Sequence, residues 1–172
     1  KKTVYLDKFS KQLCGKSRPG HFEGVLDIVN RFIEIIKPQS IFLGFKDFQQ
    51  LALIQIHINK NKISTNVIAC PTIRDINGIA LSSRNSRLNK KQIESAGKIY
   101  QYLKINKKRI VFSLLRKHHL KIINKIILFG AKKIDYLECV NLKKINVSKN
   151  IKNKYNLFIS YSIGGVRLID NL

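Results

Sequence analysis

The sequence predicts an α/β fold in which part of a doubly wound parallel sheet is followed by a small α+β unit. Two short apolar runs, Ser40–Leu43 and Thr65–Cys70, are typical of buried strands, and a stretch of helical spacing separates them. Such a succession favours a right-handed parallel crossover. Farther along, helix-like segments precede three strand-like ones, which favours an α+β unit. We therefore expect one domain over residues 1–72 and a second over residues 73–172.

The N-terminal segment predicts a short strand, a loop and an amphipathic helix. Val4–Leu6 is strand-like, and Gly15–Phe22 is a loop by its Gly and Pro content. From Val25 the apolar residues recur at helical spacing, and the helix ends before Pro38. Arg18 and His21 therefore lie where a loop enters a helix. They suit an anion or a substrate hydroxyl, or equally a loop arginine and a histidine that caps its own helix.

The segment Leu43–Leu51 predicts the end of a strand, a tight turn at Gly44 and a helix that begins at Lys46. A lysine in the first turn of a helix is electrostatically unfavourable, because the exposed amides there already carry partial positive charge. A phosphate held by those amides and the ammonium group would offset the charge. Lys46, Asp47 and Gln50 can face one site beyond the strand's carboxyl end. An ordinary connection with a solvated lysine is an equally good interpretation of this segment alone.

Two signals follow the second strand. The pair Asn77-Gly78, flanked by extended-type residues, predicts a hairpin. Ser82-Ser83-Arg84-Asn85 then offers two hydroxyls and a fork-shaped guanidinium on a loop, which suits a polyphosphate. An exposed linker would use the same residues, so the tetrapeptide alone leaves both interpretations open.

The rest of the chain predicts two helices and three strands. Asn89 is the expected N-cap of the first helix, with Gln92 as a partial capping box, and the second helix ends at Gly130 as a C-cap after the apolar positions 111–126. The lysine- and asparagine-rich segment 143–156 is the loosest connection. The expected strands are Ile134–Val140, Leu157–Tyr161 and Val166–Ile169.

Length and composition indicate a globular chain. Its 172 residues, 44% of them apolar, suffice for one domain or two small ones. No apolar run approaches the roughly 20 residues of a membrane span, and the first ten residues lack a signal peptide's apolar stretch, so we expect a cytoplasmic protein with no membrane partner. The chain begins with Lys1 and contains no Met, which indicates a piece of something longer. The three scattered cysteines predict reduced structural thiols and no zinc site.

The formal net charge of +23 invites a nucleic-acid interpretation, which we discount. Most of the excess is Lys, and abundant Ile and Asn accompany it, as A/T-rich codons would produce. The densest basic clusters, Lys107–Arg109 and Arg116–His119, are not interleaved with aromatic residues, so they favour a solvated helix face. The adjacent His118 and His119 cannot point to the same side of a helix, which argues against a shared metal. A basic nucleic-acid-binding module is the alternative.

Several blocks of residues carry a resemblance to a known family, in that family's order and with suitable spacing across the chain. The chain resembles the pantothenate synthetases, which are the pantoate–β-alanine ligases of coenzyme A biosynthesis. The blocks are Ser17–Phe22 with Gly24 and Val25, Lys46–Leu51, Pro71, Arg74 and Gly78, Leu81–Asn85, Asp135 with Tyr136, and Arg167–Asn171.

The resemblance implies an activity and a fold. Family members condense pantoate with β-alanine at the expense of ATP, through an enzyme-bound pantoyl adenylate, and release AMP and pyrophosphate. They use Mg²⁺ and are usually cytoplasmic homodimers. Their sheet is Rossmann-like, of the class I nucleotidyl-transferase type, so the resemblance makes residues 1–72 half of a nucleotide-binding domain and residues 73–172 a lid. The implied partners are small-molecule substrates, with no nucleic acid.

The resemblance also implies roles for individual residues. Lys46 would bind the ATP phosphates, Gln50 would hold pantoate, and Arg18 and His21 match a block near the active site. Ile73 would meet the adenine through its backbone. The segment Leu81–Arg84 would be the mobile phosphate-binding loop, the counterpart of the lysine-and-serine loop in class I tRNA synthetases. The implied ATP-binding residues are Gly44, Phe45, Lys46, Asp47, Ile73, Leu81, Ser82, Ser83 and Arg84.

The chemistry fits these residue types. When the pantoate carboxylate attacks the α-phosphate, charge builds on the transferring phosphoryl group and on the departing pyrophosphate, and Lys46 and Arg84 could stabilise it as the catalytic pair. Catalysis would consist of positioning and charge neutralisation, which requires no nucleophilic side chain. No residue of the chain is expected to bind a metal.

The chain departs from the family's pattern in two ways. The signature His-x-Gly-His is absent, so the chain is expected to begin partway through the nucleotide-binding domain and to be inactive alone. The absent half would supply the catalytic histidines, further pantoate contacts, acidic residues near the metal and much of the dimer contact. Phe45 replaces the usual Glu, which changes how Lys46 is held or indicates relaxed selection. A decayed remnant with no activity is a further alternative.

Overall fold

A computed structural model describes residues 4–145 and 155–172 of the chain. Most of the connection predicted to be loose, namely residues 146–154, lies outside the described residues. The chain divides into two compact units. Within the described residues, the first unit consists of residues 4–71 and 142–145, and the second consists of residues 72–141 and 155–172. No helix in these ranges combines the length and the apolar character that a membrane span requires.

The first unit contains a parallel strand–helix–strand crossover, as predicted. Strands β1 (Ser40–Gly44) and β2 (Asn66–Cys70) pair in parallel, with Ser40 opposite Asn66 and Gly44 opposite Cys70. Short 3₁₀ turns at Lys8–Lys11 and Phe45–Asp47 precede α1 and α3, respectively. The elements in chain order are α1 (Leu13–Ser17), α2 (His21–Ile36), β1 (Ser40–Gly44), α3 (Phe48–Lys60) and β2 (Asn66–Cys70).

The core of the first unit lies where α2 and α3 pack against the strands. Four apolar side chains of these helices are buried, and Ile41, Leu43 and Val67 of the strands pack against them. A polar cluster also joins the helices, because His57 of α3 is fully buried and its Nε2 lies 2.7 Å from Asn30 Oδ1 of α2. The four buried apolar residues are Leu26, Ile33, Ile54 and Ile58.

Several expectations for the first unit are wrong. The strands were expected to be buried, but no residue of β1 or β2 is buried. Val4–Leu6 is not a strand, because the Tyr5 amide donates to His57 Nδ1 at 3.1 Å instead of joining a sheet. The predicted loop at residues 15–22 is shorter, since α1 extends into its start and α2 begins at His21. Lys46 lies in the 3₁₀ turn before α3 and not in the helix itself.

The second unit packs helices together with an antiparallel sheet, so the mixed α/β fold class is confirmed. The sheet has the order β3-β4-β5, and the loop that precedes the unit's first helix contains a 3₁₀ turn at Ser83–Arg87. Its apolar core includes Ile99, Leu103, Ile126, Leu157 and Ile159. The elements are α4 (Lys90–Ile105), α5 (Lys107–Leu115), α6 (Leu120–Leu128), β3 (Lys133–Asn141), β4 (Tyr155–Ile163) and β5 (Val166–Asn171).

Local sequence signals predict some features of the second unit correctly and others wrongly. The capping box at Asn89 and Gln92 is complete, with reciprocal hydrogen bonds of 3.0 and 2.9 Å. The expectation of a single helix from Val111 to Gly130 is wrong, because this segment forms two helices, α5 and α6. In the break between them, Lys117 adopts a left-handed conformation (φ +60°). No residue type in that break signals the interruption, because the apolar spacing continues across it.

The turn at Asn77-Gly78 forms, although strand pairing beside it is confined to one antiparallel bridge between Arg74 and Ala80. The Gly78 amide donates to the Asp75 carbonyl at 2.9 Å, so the turn closes one residue earlier than the dipeptide suggests. Gly78 is in the left-handed region (φ +86°), and a Cβ there would overlap the Tyr100 ring. Glycine is therefore required at this position for its backbone and for its size.

We expect Gly78→Ala to lower the free energy of unfolding by about 2–4 kcal/mol, because left-handed backbone strain and overpacking against Tyr100 add together. Gly165→Ala is the matched control, since Gly165 is also left-handed (φ +74°) but a Cβ there meets no atom within 4 Å. Its cost is expected to be only about 1–2 kcal/mol. Urea unfolding of both variants measures the difference. Equal costs would contradict the role of the Tyr100 contact.

Candidate active site

The backbone at the carboxyl end of β1 is exposed at Gly44. Gly44 and Cys70 are the last residues of the two strands and lie opposite each other. A Cβ built on Gly44 would meet no atom within 4 Å. Its backbone is extended (φ −66°, ψ 130°), so the turn does not need glycine for its conformation, contrary to our expectation. In open α/β sheets, ligands bind beyond the carboxyl ends of the strands. The open space beside Gly44 is therefore at a position where a ligand can approach the backbone.

The start of α3 lacks a side-chain cap. Asp47 occupies the N-cap position, yet its carboxylate accepts no capping hydrogen bond, and Asp47 is exposed. Lys46 precedes it in the 3₁₀ turn and is partly buried, and Gln50 is partly buried in the first turn of α3. The turn thus combines an ammonium group with helix amides that no side chain caps, an arrangement that suits phosphate.

Phe45 anchors this turn by apolar contact. Its ring lies 5.2 Å from the ring of Phe48, which is 1% exposed in the core of the first unit. A carboxylate at position 45 could not make this contact. The turn that carries Lys46 is therefore held partly by aromatic packing, where the resembled family usually has Glu.

Gln49 organises the segment before α2, and sequence reasoning missed it. Its side chain is buried, its Nε2 donates to the carbonyls of Phe9 and Gln12 at 2.7 Å each, and its Oε1 accepts from the Cys14 amide at 3.0 Å. These bonds tie the residues before Arg18 to the helix that begins beside Lys46. The only sequence signal was the matched block Lys46–Leu51, which does not reveal partners 35 to 40 residues away.

Arg18 and His21 contact each other at the surface. Arg18 Nη1 lies 2.9 Å from His21 Nε2, and since an arginine can only donate, His21 Nε2 accepts. Gly20 is the N-cap of α2, so the interpretation of His21 as the cap of its own helix is wrong. Beside this loop lies a cavity of about 320 Å³ whose lining includes Lys11, Lys16 and Arg18. The pair is thus next to a concave, mainly basic surface.

In the second unit, the loop Leu81–Arg84 is fixed at its base and exposed at its tip. Asn85 Nδ2 donates to the Ala80 carbonyl at 3.1 Å, and Leu88 is buried. Ser82 Oγ accepts from the Arg84 amide at 3.2 Å, whereas Ser83 and Arg84 are exposed. The loop therefore presents a hydroxyl and a guanidinium to solvent on a supported turn.

The structure brings Ile73 next to this loop. The Leu81 amide donates to the Ile73 carbonyl at 2.9 Å, and both side chains are exposed, at 53% for Leu81 and 65% for Ile73. The predicted site residues of the second unit thus form one surface. Those of the first unit, Gly44–Asp47 and Gln50, are contiguous around the start of α3.

Other residues of the matched blocks form internal ion pairs in the second unit. Arg74 binds Asp170 through two hydrogen bonds of 2.6 and 2.9 Å, and its guanidinium lies 4.2 Å from the centre of the Tyr100 ring. Burial works to lower the pKa of Arg74, but the hydrogen bond and the charge of Asp170 raise that pKa above its usual value. Arg74 is therefore a permanently charged structural residue here.

Asp135 forms the second internal ion pair. Its Oδ2 accepts from Arg167 Nε at 2.7 Å and from Ser160 Oγ at 2.9 Å, which joins strands β3, β4 and β5. Burial works to raise the pKa of the Asp135 carboxyl, but the hydrogen bonds from Arg167 and Ser160 and the charge of Arg167 hold the pKa below its usual value. The ionised carboxylate thus stabilises the sheet.

Metal-binding side chains do not gather in the described part of the chain. Among those residues, no three His, Cys, Asp or Glu side chains lie together so that they could hold a metal ion. No described residue is therefore assigned to the Mg²⁺ that the resemblance implies.

The fold, together with the surfaces around Lys46 and Arg84, indicates the class of protein to which the chain belongs. A parallel β–α–β crossover with a lysine-bearing turn, followed by a separate unit with an antiparallel sheet, is a mixed α/β architecture. In open α/β sheets, ligands usually bind beyond the carboxyl ends of the strands. Comparison with known proteins then identifies the family of the chain within the α/β proteins. The profile of the pantoate-beta-alanine ligase family matches residues 1–172, and the chain belongs to that family.

Relatives with the same family name match the whole chain. Pantothenate synthetase from Leptospira interrogans serovar copenhageni is 39% identical over 184 residues, which cover 100% of this chain and 65% of the relative. The enzyme from Flavobacterium psychrophilum is 35% identical and is matched over 61% of its length, with 99% of this chain covered.

Solved structures of proteins with the same family names are similar in fold to this chain. The pantoate-beta-alanine ligase of Francisella tularensis, complexed with β-γ ATP and β-alanine, superposes with a TM-score of 0.74 at 38% identity, covering 98% of this chain and 56% of that one. Pantothenate synthetase from Thermus thermophilus gives a TM-score of 0.81 at 25% identity, covering 99% of this chain and 62% of that one. The chain thus spans about three fifths of the length of the relatives it matches.

We expect Asp135→Asn to destabilise the second unit by about 1–3 kcal/mol at pH 7, because the variant loses a charge-assisted hydrogen bond. Since the pKa of Asp135 is lowered on folding, its contribution is present above the unfolded value near 3.8 and is lost as the pH falls through the folded value. The difference between wild type and variant should therefore shrink on acidification from pH 7 to pH 3.

Urea unfolding at several pH values measures this difference. Glu94→Gln, at an exposed position of α4, is the control and should leave the stability within about 0.5 kcal/mol of wild type. A destabilisation by Asp135→Asn that is the same at pH 3 and pH 7 would contradict the ionic role of Asp135.

Proposed function

We propose that the protein containing this chain condenses pantoate with β-alanine through a pantoyl adenylate, consuming ATP and releasing AMP and pyrophosphate. Membership of the family supports the reaction, and the Francisella relative complexed with β-γ ATP and β-alanine supports ATP and β-alanine as substrates. The single observation that carries the proposal is the open carboxyl end of β1, where Lys46 precedes a helix start that no side chain caps.

The first unit is proposed to hold the ATP phosphates and pantoate. Gly44, Phe45 and Asp47 would contribute backbone contacts to ATP, since the open space at Gly44 lets a phosphate approach the chain closely. Lys46 would neutralise phosphate charge. Gln50, one turn into α3, would hydrogen-bond pantoate. Arg18 and His21 would lie near the active site, held in place through the anchoring of the preceding segment by Gln49.

The second unit is proposed to cover the nucleotide. Ile73 would meet the adenine through its backbone, and the neighbouring loop of Leu81, Ser82, Ser83 and Arg84 would bind phosphate oxygens. The exposure of Ser83 and Arg84 on a supported turn favours this role, because a ligand can displace only water from them. In these terms, residues 1–72 act as the nucleotide-binding part and residues 73–172 as a lid.

The proposed chemistry proceeds in two steps. A pantoate carboxylate oxygen forms a bond to the α-phosphorus while the bond from that phosphorus to the pyrophosphate oxygen breaks. The β-alanine amine then attacks the acyl carbon and expels AMP. Lys46 and Arg84 would stabilise the charge that develops on the phosphoryl group and on pyrophosphate. The protein would contribute positioning and charge, and no side chain would be covalently modified.

Three further properties follow from family membership as parts of the proposal. The protein would form a homodimer, act in the cytoplasm and use ATP together with Mg²⁺. No described residue is proposed as a ligand of that metal, since the described side chains build no metal site.

We expect Lys46→Ala and Arg84→Ala each to reduce adenylate formation about 100-fold or more, the usual effect of removing a group that stabilises developing charge. The assay is pyrophosphate exchange into ATP, performed on a full-length enzyme that contains this sequence preceded by the His-x-Gly-His half. Lys60→Ala, at the far end of α3, and Arg87→Ala, in the same 3₁₀ turn as Arg84, are the matched controls and should retain activity.

The 172-residue chain alone is expected to form no pantothenate, because it lacks the His-x-Gly-His signature. Formation of pantothenate by the isolated chain would refute its expected inactivity. Full activity of the Lys46 and Arg84 variants would refute their catalytic role. Inactivity of the full-length protein, together with tight and salt-sensitive oligonucleotide binding, would support the basic nucleic-acid-binding module instead.

A further inference from the structure

A partly open cavity lies beside the break between α5 and α6, and none of the proposed substrate-binding residues lines it. Its volume is about 470 Å³, within the range of small-molecule sites. Arg109 of α5, the break residues Lys117, His118 and His119, and Lys121 of α6 all contribute to its wall. The cavity lies wholly within the second unit.

The wall carries uncompensated positive charge. No Asp or Glu lines the cavity. The ion pairs of the described chain involve other residues, so Arg109, Lys117 and Lys121 face the cavity without a carboxylate partner in that part of the chain. Several cationic groups around one concavity repel each other, and a bound anion would relieve that repulsion.

The start of α6 adds to this potential. His119 is the N-cap and makes no side-chain capping bond, and the first turn of α6 contains no acidic residue. The helix of nine residues therefore directs its positive end toward the basic wall without local compensation. By itself this would be an ordinary helix start; combined with the cavity it strengthens the attraction for an anion.

The floor of the cavity is apolar. Ile110 and Ile122 line it and are buried, at 1% and 7% exposure, and the Tyr102 side chain lines it as well. A bare phosphate ion would leave this surface and most of the volume unused. The shape therefore suits a ligand that carries an anionic group on an apolar body.

A general excess of lysine does not account for this arrangement. Lys108 and Arg109 are adjacent on α5 and both are exposed, yet only Arg109 lines the cavity. Lys125 of α6 instead lies 5.0 Å from the Phe129 ring centre. Basic residues from two helices and the break between them nevertheless converge on one concave surface. We propose that this cavity binds a small organic phosphate monoester with an apolar body, at a site distinct from the residues assigned to ATP and pantoate.

Phenyl phosphate is the test ligand, titrated into the 172-residue chain while the histidine ring resonances are followed by NMR. We expect saturable shifts of the His118 and His119 signals with a dissociation constant below about 1 mM, while the buried His57 serves as the unshifted internal reference. Arg109→Gln and Lys121→Gln should each weaken binding about 10-fold, as for the loss of one charge-assisted hydrogen bond. Lys117→Gln should act in the same direction if either variant proves unfolded by circular dichroism.

Lys108→Gln is the matched control, because it removes one positive charge from α5 without touching the cavity wall, and it should change binding less than twofold. An equal loss in Lys108→Gln and Arg109→Gln would overturn the proposal in favour of a diffuse basic surface. Absence of His118 and His119 shifts at about 10 mM ligand would also overturn it. If benzyl alcohol bound as tightly as phenyl phosphate, the proposed requirement for an anionic group would be overturned. If inorganic phosphate bound as tightly as phenyl phosphate, the proposed requirement for an apolar body would be overturned.

Discussion

The parallel pairing of β1 with β2 is the constraint on which the first unit depends. Two parallel strands can be joined only by a crossover, so α3 must begin at the edge where β1 ends. Gly44 and Cys70 end level with each other, and the backbone at Gly44 is exposed. Lys46 and the uncapped start of α3 lie at that edge as a consequence of topology. The aromatic contact of Phe45 with Phe48 and the hydrogen bonds of Gln49 then fix the surroundings.

The second unit uses its few acidic residues in a similarly constrained way. In a chain with 33 basic and 10 acidic residues, Asp135 and Asp170 each bind an arginine inside the fold. Those pairs, and the requirement for glycine at position 78, explain why several residues of the matched blocks are structural. Arg84 differs from Arg74 and Arg167 because it is exposed at the tip of a supported loop. Only its position identifies it as a candidate for binding a ligand.

Sequence reasoning succeeded where the determining interactions are local. The Asn89–Gln92 capping box, the turn at Gly78 and the strand periodicity all depend on neighbours within a few residues. It failed where the partner is distant: neither Gln49, bonded to residues 35 to 40 positions away, nor the His57–Asn30 pair has a local signature. The break at Lys117 was missed because apolar spacing continues through it. The contact between Arg18 and His21 was not among the alternatives that the sequence offered for these residues, and the N-cap position of Gly20 rules out His21 as the cap of α2.

We propose that the turn at Lys46 and the loop at Arg84 bind the same ATP molecule. Hydrogen–deuterium exchange of a full-length enzyme containing this sequence, titrated with a non-hydrolysable ATP analogue, tests it most directly. We expect the amides of residues 44–48 and of residues 81–85 to become protected together, with the same half-saturating concentration. Protection of only one segment, or of neither at saturating analogue, would contradict it.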